Sequence, residues 1–114
     1  MRTLVFLLLG CGLCFGQTTD ECTPSTLNIP GAQYPCVHPD HSATFRLLAP
    51  DAQKVQVRVG KAFDMVKGDD GVWTVTTAPL VEGFHYYSLV VDGVTMADPA
   101  TKSFFGSGWE NSGI

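Results

Sequence analysis

Between Gly71 and Pro99 the chain reads as two β-strands and the start of a third, separated by Pro/Gly turns. Val72 to Thr77 is entirely β-branched or aromatic, and Phe84 to Val91 nearly so, the exceptions being His85, Ser88 and Leu89. Such residues suit a pleated, half-buried surface and leave little room for a helix. Ala78 to Gly83 links the two strands, and Asp92-Gly93 is a hairpin turn signal for the third. The rest of the chain must supply strands to pack against this unit.

Those strands are found upstream. In Thr44-Phe45-Arg46-Leu47, Phe45 and Leu47 face one way while Thr44 and Arg46 face the other. After a turn at Ala49-Pro50-Asp51-Ala52, Lys54 to Val59 alternates cleanly, with three valines inward and Lys54, Gln56 and Arg58 in water. Gly60 to Val66 reads as a short bulged strand carrying Phe63 and Met65, and Lys67 to Gly71 as a polar loop. Trp73 belongs in the core. Phe84 to Val91 is apolar on both faces: His85, Tyr87, Leu89 and Val91 on one, Phe84, Tyr86, Ser88 and Val90 on the other. A strand apolar on both sides is either sandwiched or meets a partner on its outer face. Six or so short strands with frequent turns give an all-β, antiparallel β-sandwich spanning 43–99.

The first sixteen of the 114 residues are read as a secretory signal peptide. Arg2 is the positive n-region, Leu4 to Leu9 the apolar stretch, and Cys14-Phe15-Gly16 the cleavage positions before Gln17. The apolar run is too short to span a bilayer, so no membrane span is expected. Leu8-Leu9-Gly10-Cys11 is a poor lipoprotein site because so little apolar sequence precedes it. The expected location is secreted or periplasmic. Without Arg2, six basic side chains stand against eleven acidic ones. No Lys/Arg cluster exists, which argues against nucleic acid as a partner.

Residues 17–42 are rich in Thr, Pro, Ser and Asn and read as an irregular arm. Cys22 and Cys36, the two cysteines left after Cys11 and Cys14 depart, most simply form one bond, worth roughly 3 kcal/mol in the chain-entropy model. Free thiols are the alternative. Residues 100–114 are punctuated by Gly and Ser and read as a linker towards a further domain. Phe104, Phe105 and Trp109 suggest that this tail docks on something.

Catalytic chemistry is hard to find. Ser107 lies between Gly106 and Gly108, but Phe105 occupies the first glycine position of a Gly-x-Ser-x-Gly elbow. Asn111 stands where a dinucleotide loop needs its third glycine. His38-Pro39-Asp40-His41 offers three possible metal ligands in four residues, yet no supporting ligand is near in sequence, so a solvated turn and no metal are expected. His85 reads as a hydrogen-bonded core imidazole, and Asp64, Asp69 and Asp70 as a solvated loop too small to frame paired carboxylates for glycoside hydrolysis. No cofactor is expected. What remains is aromatic: Phe84 and Tyr86 beside Ser88, or Trp109, could stack on sugar rings or cover a contact with a neighbouring domain. The domain contact is favoured.

Thr44-Phe45-Arg46, Ala49-Pro50, Gly71-Val72-Trp73, Gly83, Tyr87, Val91-Asp92-Gly93 and Asp98-Pro99 together resemble the early-set immunoglobulin-like module of family-48 carbohydrate-binding domains. The version at the N-terminus of secreted bacterial feruloyl and acetyl-xylan esterases, related to enterochelin esterase, is more similar still. Phe84-His85-Tyr86-Tyr87-Ser88, Phe104-Phe105-Gly106 and Ser112-Gly113-Ile114 resemble how that module runs into its esterase domain. The resemblance covers His38 to Ile114 with gaps. Starch-binding members carry a Trp, a Lys and a second Trp where this chain has Phe63 at best, Ser88 and Thr95, so the α-glucan site is expected to be absent.

The resemblance implies a non-catalytic module that packs on a C-terminal esterase domain lying beyond Ile114 and shapes its substrate groove. The candidate carbohydrate or interface residues are Phe84, Tyr86, Ser88, Phe63 and Trp109, with plant cell-wall polysaccharide as a second partner. The chain as it stands is not expected to be an enzyme. The alternatives are an autonomous glycan-binding module and a secreted protein-interaction domain.

Overall fold

A computed structural model describes residues 21–106 and 109–114. These form eleven strands: β1 (Thr23–Pro24), β2 (Cys36–Val37), β3 (Ala43–Leu48), β4 (Val55–Val59), β5 (Lys61–Asp64), β6 (Val66–Lys67), β7 (Val72–Thr76), β8 (Tyr86–Val91), β9 (Val94–Met96), β10 (Ser103–Gly106) and β11 (Trp109–Gly113). One sheet runs β1-β2-β3-β7-β6, the other β10-β11-β8-β4-β5, with β9 hairpinned onto β8. Every strand pair is antiparallel. The two sheets face each other as an all-β sandwich, and no helix occurs among the described residues.

The alternation in the sequence dictates what fills the gap between the sheets. Val55, Val57 and Val59 of β4 are buried, as are Tyr87 and Leu89 of β8, which lie opposite in the ladder or one step beyond it. From the facing sheet come Phe45 and Trp73; the Phe45 and Tyr87 rings meet edge to face at 4.8 Å. The Trp73 indole donates its N–H to the Ala49 carbonyl at 2.9 Å, so its one polar atom is satisfied at the margin of the core. Residues 60–66, read as a single short bulged strand, instead divide between the sheets. β5 pairs with β4, buried Met65 turns the corner, and β6 pairs with β7.

The β8–β9 turn is built as its sequence requires. Asp92 and Gly93 have φ of 49° and 86°, the pairing of positive values that matches the twist of a two-residue hairpin. The Asp92 carboxylate also accepts the backbone N–H groups of Gln53 and Lys54, each at 2.8 Å, pinning the hairpin to the entrance of β4.

Two stretches differ from expectation. The arm 17–42 is not irregular throughout: β1 and β2 extend the first sheet beyond β3, and Asn28 bridges to Thr101. Cys22 and Cys36 are disulfide-bonded, with Cα atoms 5.4 Å apart, across this small hairpin. Within 100–114, read as a linker, residues 103–106 and 109–113 are strands. β10 and β11 form a hairpin whose Ser112 and Gly113 pair with Tyr87 and Tyr86, completing the second sheet. Two-residue strands and Gly/Ser-rich strands carry too little apolar alternation to be seen in sequence. The expected signal peptide lies outside the described residues.

A buried polar knot secures the tail. The Tyr87 hydroxyl donates to Asp98 Oδ2 at 2.7 Å, the Ala100 N–H donates to Oδ1 at 2.9 Å, and the Asp98 N–H donates to Ser112 Oγ at 2.6 Å. All of Tyr87, Asp98 and Ser112 are buried. Burial raises the Asp98 carboxyl above the ordinary carboxylate range. Burial together with the Asp98 carboxylate raises the Tyr87 phenol, which therefore stays neutral and acts as donor.

Candidate functional site: an aromatic cluster on the outer sheet face

Side chains alternate along β8, so Tyr87 and Leu89 point into the core while Tyr86 and Ser88 point away from it. Phe84 precedes the strand, where His85 still exchanges two backbone hydrogen bonds with Ile114 at 2.9 and 3.0 Å. Phe84 is 51% exposed and Tyr86 45%, high values for rings of this size. They meet edge to face at 4.9 Å, and Phe84 meets Phe104 of β10 in the same manner at 5.2 Å. Three rings from two separate stretches of chain thus form one cluster.

Gly113 is what lets them assemble. It lies opposite Tyr86, beneath the cluster. A Cβ at this position would stand 2.7 Å from the Phe84 ring and 2.9 Å from that of Phe104. Farther along the same face Ser88 lies opposite Arg58, whose side chain is exposed. An apolar patch bordered by a hydroxyl and a guanidinium can cover another apolar surface, or offer one ring to the C–H face of a sugar while the polar border meets hydroxyls.

The expected site residues do not all gather here. Phe84, Tyr86 and Ser88 share this outer face. Phe63 does not: it lies opposite Val57, on the core side of the sheet, and packs half-buried against the core. The Trp109 side chain lies outside what is described. Phe104, seen in the sequence only as part of an aromatic tail, joins the cluster because β10 folds back on β11.

Beside the cluster, a mostly apolar groove of about 200 Å³ opens between the sheets, lined by Ala43, Leu80, Val81, His85 and Ile114 among others. His85, read as a hydrogen-bonded core imidazole, donates its Nε2–H to the Val81 carbonyl and is half-buried rather than fully enclosed. His38 differs from its reading as part of a solvated turn. It is drawn inward, with Nε2 2.6 Å from Thr44 Oγ1 and 3.4 Å from Cys22 Sγ. Among the described residues no serine is hydrogen-bonded to a histidine. The Thr44 hydroxyl is buried and shared with Thr76, and no carboxylate backs His38. A nucleophile–base–acid arrangement is not assembled there.

Comparison with known proteins bears on this surface. No protein-family model matches the chain. Over 100 residues, 83% of its length, it is 42% identical to an endo-1,4-beta-xylanase/feruloyl esterase of Xylanibacter ruminicola. The chain spans 14% of that relative, so it corresponds to a small part of a much larger enzyme. Among solved structures, a Salmonella typhimurium protein assigned as an alpha amylase shares 32% identity at a TM-score of 0.55, over 64% of this chain and 13% of that one. A pullulanase type I from Bacillus subtilis complexed with maltose superposes at a TM-score of 0.56 over 79% of this chain and 14% of its own. At 17% identity this last likeness speaks for the fold alone. In each case the matched part is a minor share of a much longer chain.

Proposed function

We propose that this chain is the non-catalytic accessory module of a secreted polysaccharide esterase, related to the family-48 carbohydrate-binding type. It packs on a catalytic esterase domain and shapes or extends the groove that holds the polysaccharide, xylan-type chains above all. The observation that carries this reading is the Phe84–Tyr86–Phe104 cluster, half-exposed on one sheet face of a chain 42% identical to part of a xylanase/feruloyl esterase. Exposed contiguous rings on a small domain mark a contact surface. The domain division that goes with it is a leader over 1–16 and a sandwich that runs through the tail to Ile114.

The test is a chimera in which this chain replaces the matching segment of the Xylanibacter enzyme. Release of ferulate from insoluble xylan is expected to exceed that of the enzyme lacking the segment. Phe84→Ser combined with Tyr86→Ser should return it to the deletion level, about tenfold lower, while turnover of a small soluble ester is unchanged. Both rings are about half exposed, so the folded stability of the isolated chain should shift by less than about 1 kcal/mol. If the double variant leaves release from xylan untouched, the surface has no such role.

A second reading, an autonomous glycan-binding module, is favoured by Tyr86 standing beside Ser88 and opposite-strand Arg58. Titration of the purified chain with xylo- and malto-oligosaccharides separates the two. Millimolar or tighter binding that disappears in Tyr86→Ala supports stacking on sugar; no binding leaves the domain contact.

A further inference from the structure

Cys22, Cys36 and His38 stand together on one face of the hairpin made by β1 and β2. Cys36 and His38 are two residues apart on an extended segment and so point to the same side. One step beyond the Thr23–Val37 pair, Cys22 comes opposite His38. The Sγ atoms of both cysteines and a ring nitrogen of His38 all lie within 4.8 Å of one another. Cys22 and Cys36 are held in a disulfide, and His38 Nε2 is 3.4 Å from Cys22 Sγ.

The imidazole is oriented as a ligand. Its Nδ1 is 2.9 Å from the Glu21 carbonyl oxygen, an acceptor only, so Nδ1 carries the proton and Nε2 carries the lone pair. Anchoring one ring nitrogen on a backbone carbonyl is the usual means of fixing the tautomer and direction of a metal-bound histidine. The Thr44 hydroxyl that now donates to Nε2 accepts from the Thr76 hydroxyl at 2.7 Å; when it turns to donate to Thr76 Oγ1, the exposed Thr76 hydroxyl donates to solvent instead.

We propose that the reduced form of this chain binds a thiophilic divalent cation, Zn²⁺ being the type, through Cys22, Cys36 and His38. Disulfide and metal are then alternative staples of the same hairpin. The conversion is a thiol–disulfide exchange with an external dithiol. That dithiol is oxidised to its own disulfide, and the Cys22–Cys36 bond is reduced to two thiols. The cation then displaces both thiol protons to solvent. With metal–sulfur bonds of about 2.3 Å and metal–nitrogen bonds of about 2.0–2.1 Å, a tetrahedral site sets S and N about 3.5 Å apart. The Cys22–His38 edge already has that length. The sulfur–sulfur edge must open to about 3.8 Å, and Cys36 Sγ and the His38 nitrogen, within 4.8 Å of each other, must close to about 3.5 Å. Asp40 is engaged with the Ser42 N–H and hydroxyl, so water takes the fourth position. This inference stands apart from the proposed accessory role.

The reading of His38, Asp40 and His41 as too few ligands counted neither cysteine: Cys36 stands two residues before His38, and Cys22 reaches it from the other strand of the hairpin. The test uses Co²⁺ as the probe. The purified chain is reduced with a phosphine under argon, desalted and titrated with Co²⁺. A thiolate charge-transfer band and the intense visible bands of tetrahedral cobalt are expected at a single equivalent, displaced by Zn²⁺. The oxidised chain and Cys22→Ser/Cys36→Ser should lack them. His38→Gln should weaken cobalt binding about tenfold or more and change the visible bands. Zn²⁺ should raise the thermal midpoint of the reduced chain and leave that of the oxidised chain unmoved. Equal cobalt affinity in the reduced wild type and His38→Gln would overturn the proposal. Should the reduced chain lose the near-ultraviolet circular dichroism of buried Trp73, its return on adding Zn²⁺ supports the site and its failure to return overturns it.

Discussion

Replacing Asp98 with alanine is expected to cost about 3 kcal/mol of folding free energy and to loosen the C-terminal hairpin before the rest of the sandwich. The carboxylate accepts from the Tyr87 hydroxyl and the Ala100 N–H in a site where Asp98 retains 3% exposure. Deleting it strands a phenolic donor on the core side of β8, the penalty for which is about 1–3 kcal/mol beyond the bonds themselves. Ser112, at 0% exposure, depends on the same knot through the Asp98 backbone. Removing both side-chain partners is gentler than removing one, so Asp98→Ala with Tyr87→Phe should cost less than the sum of the single changes by about 1–2 kcal/mol. Chemical denaturation of the four proteins checks the cycle, and additivity would show that the hydroxyl and carboxylate are not coupled.

The same carboxyl gives the fold a pH signature. Its pKa is raised in the folded chain, chiefly by burial, so the native state holds that proton more tightly than the unfolded chain does. The stabilising contribution is fully present below the ordinary carboxylate pKa and is lost as pH rises through the raised folded value. In that window the wild type should therefore lose stability with rising pH relative to Asp98→Ala. Asp40, fully exposed, is shifted the other way by its bonds to Ser42, so its contribution is present above the ordinary pKa and lost on acidification through the lowered one. Denaturation midpoints of wild type and Asp98→Ala across the acid range separate the two. A constant difference between them would contradict the role given to Asp98.

How much of this was legible depended on what each segment buries. Lys54 to Val59 declares its inward face because each inward position is valine, and Asp92-Gly93 declares its turn because few other pairs tolerate two positive φ values. The tail conceals itself for the opposite reason. Its inward residue next to Tyr87 is Ser112, chosen to accept the Asp98 N–H, and Gly113 is bare because two phenylalanines need its space. A polar core position and a missing side chain both read as linker. The aromatic cluster was half visible for the same cause. Phe84 and Tyr86 follow from the alternation of one strand, whereas Phe104 joins only after the tail has folded back. Phe63, a candidate site residue, was not separable from the others in sequence, because only its pairing with Val57 shows that its strand turns it towards the core.

Gly71→Ala should be about as damaging as the loss of Asp98, at about 3 kcal/mol, through a different cause. Gly71 has φ of 80°, a conformation that costs an L-residue about 1–2 kcal/mol. A Cβ there would also stand 2.8 Å from Pro50 Cβ and 3.1 Å from Pro50 Cα. The proline ring is fixed to the backbone and cannot swing aside, so the 68–71 loop and the corner at Pro50 must separate. That separation pulls on the Ala49 N–H, which donates to the Gly71 carbonyl at 3.0 Å. It pulls also on the Ala49 carbonyl that accepts the Trp73 indole. The control lies in the same molecule. Gly93 has φ of 86° with nothing within 4 Å of its missing Cβ, so Gly93→Ala should show the backbone cost alone. In thermal unfolding Gly71→Ala should then melt lower than Gly93→Ala by about 4–8 °C for each kcal/mol of additional cost. Pro50→Gly in the Gly71→Ala background removes the nearer of the two contacts and should recover part of the difference. Equal midpoints for the two glycine variants would mean that the approach of Pro50 to Gly71 constrains nothing.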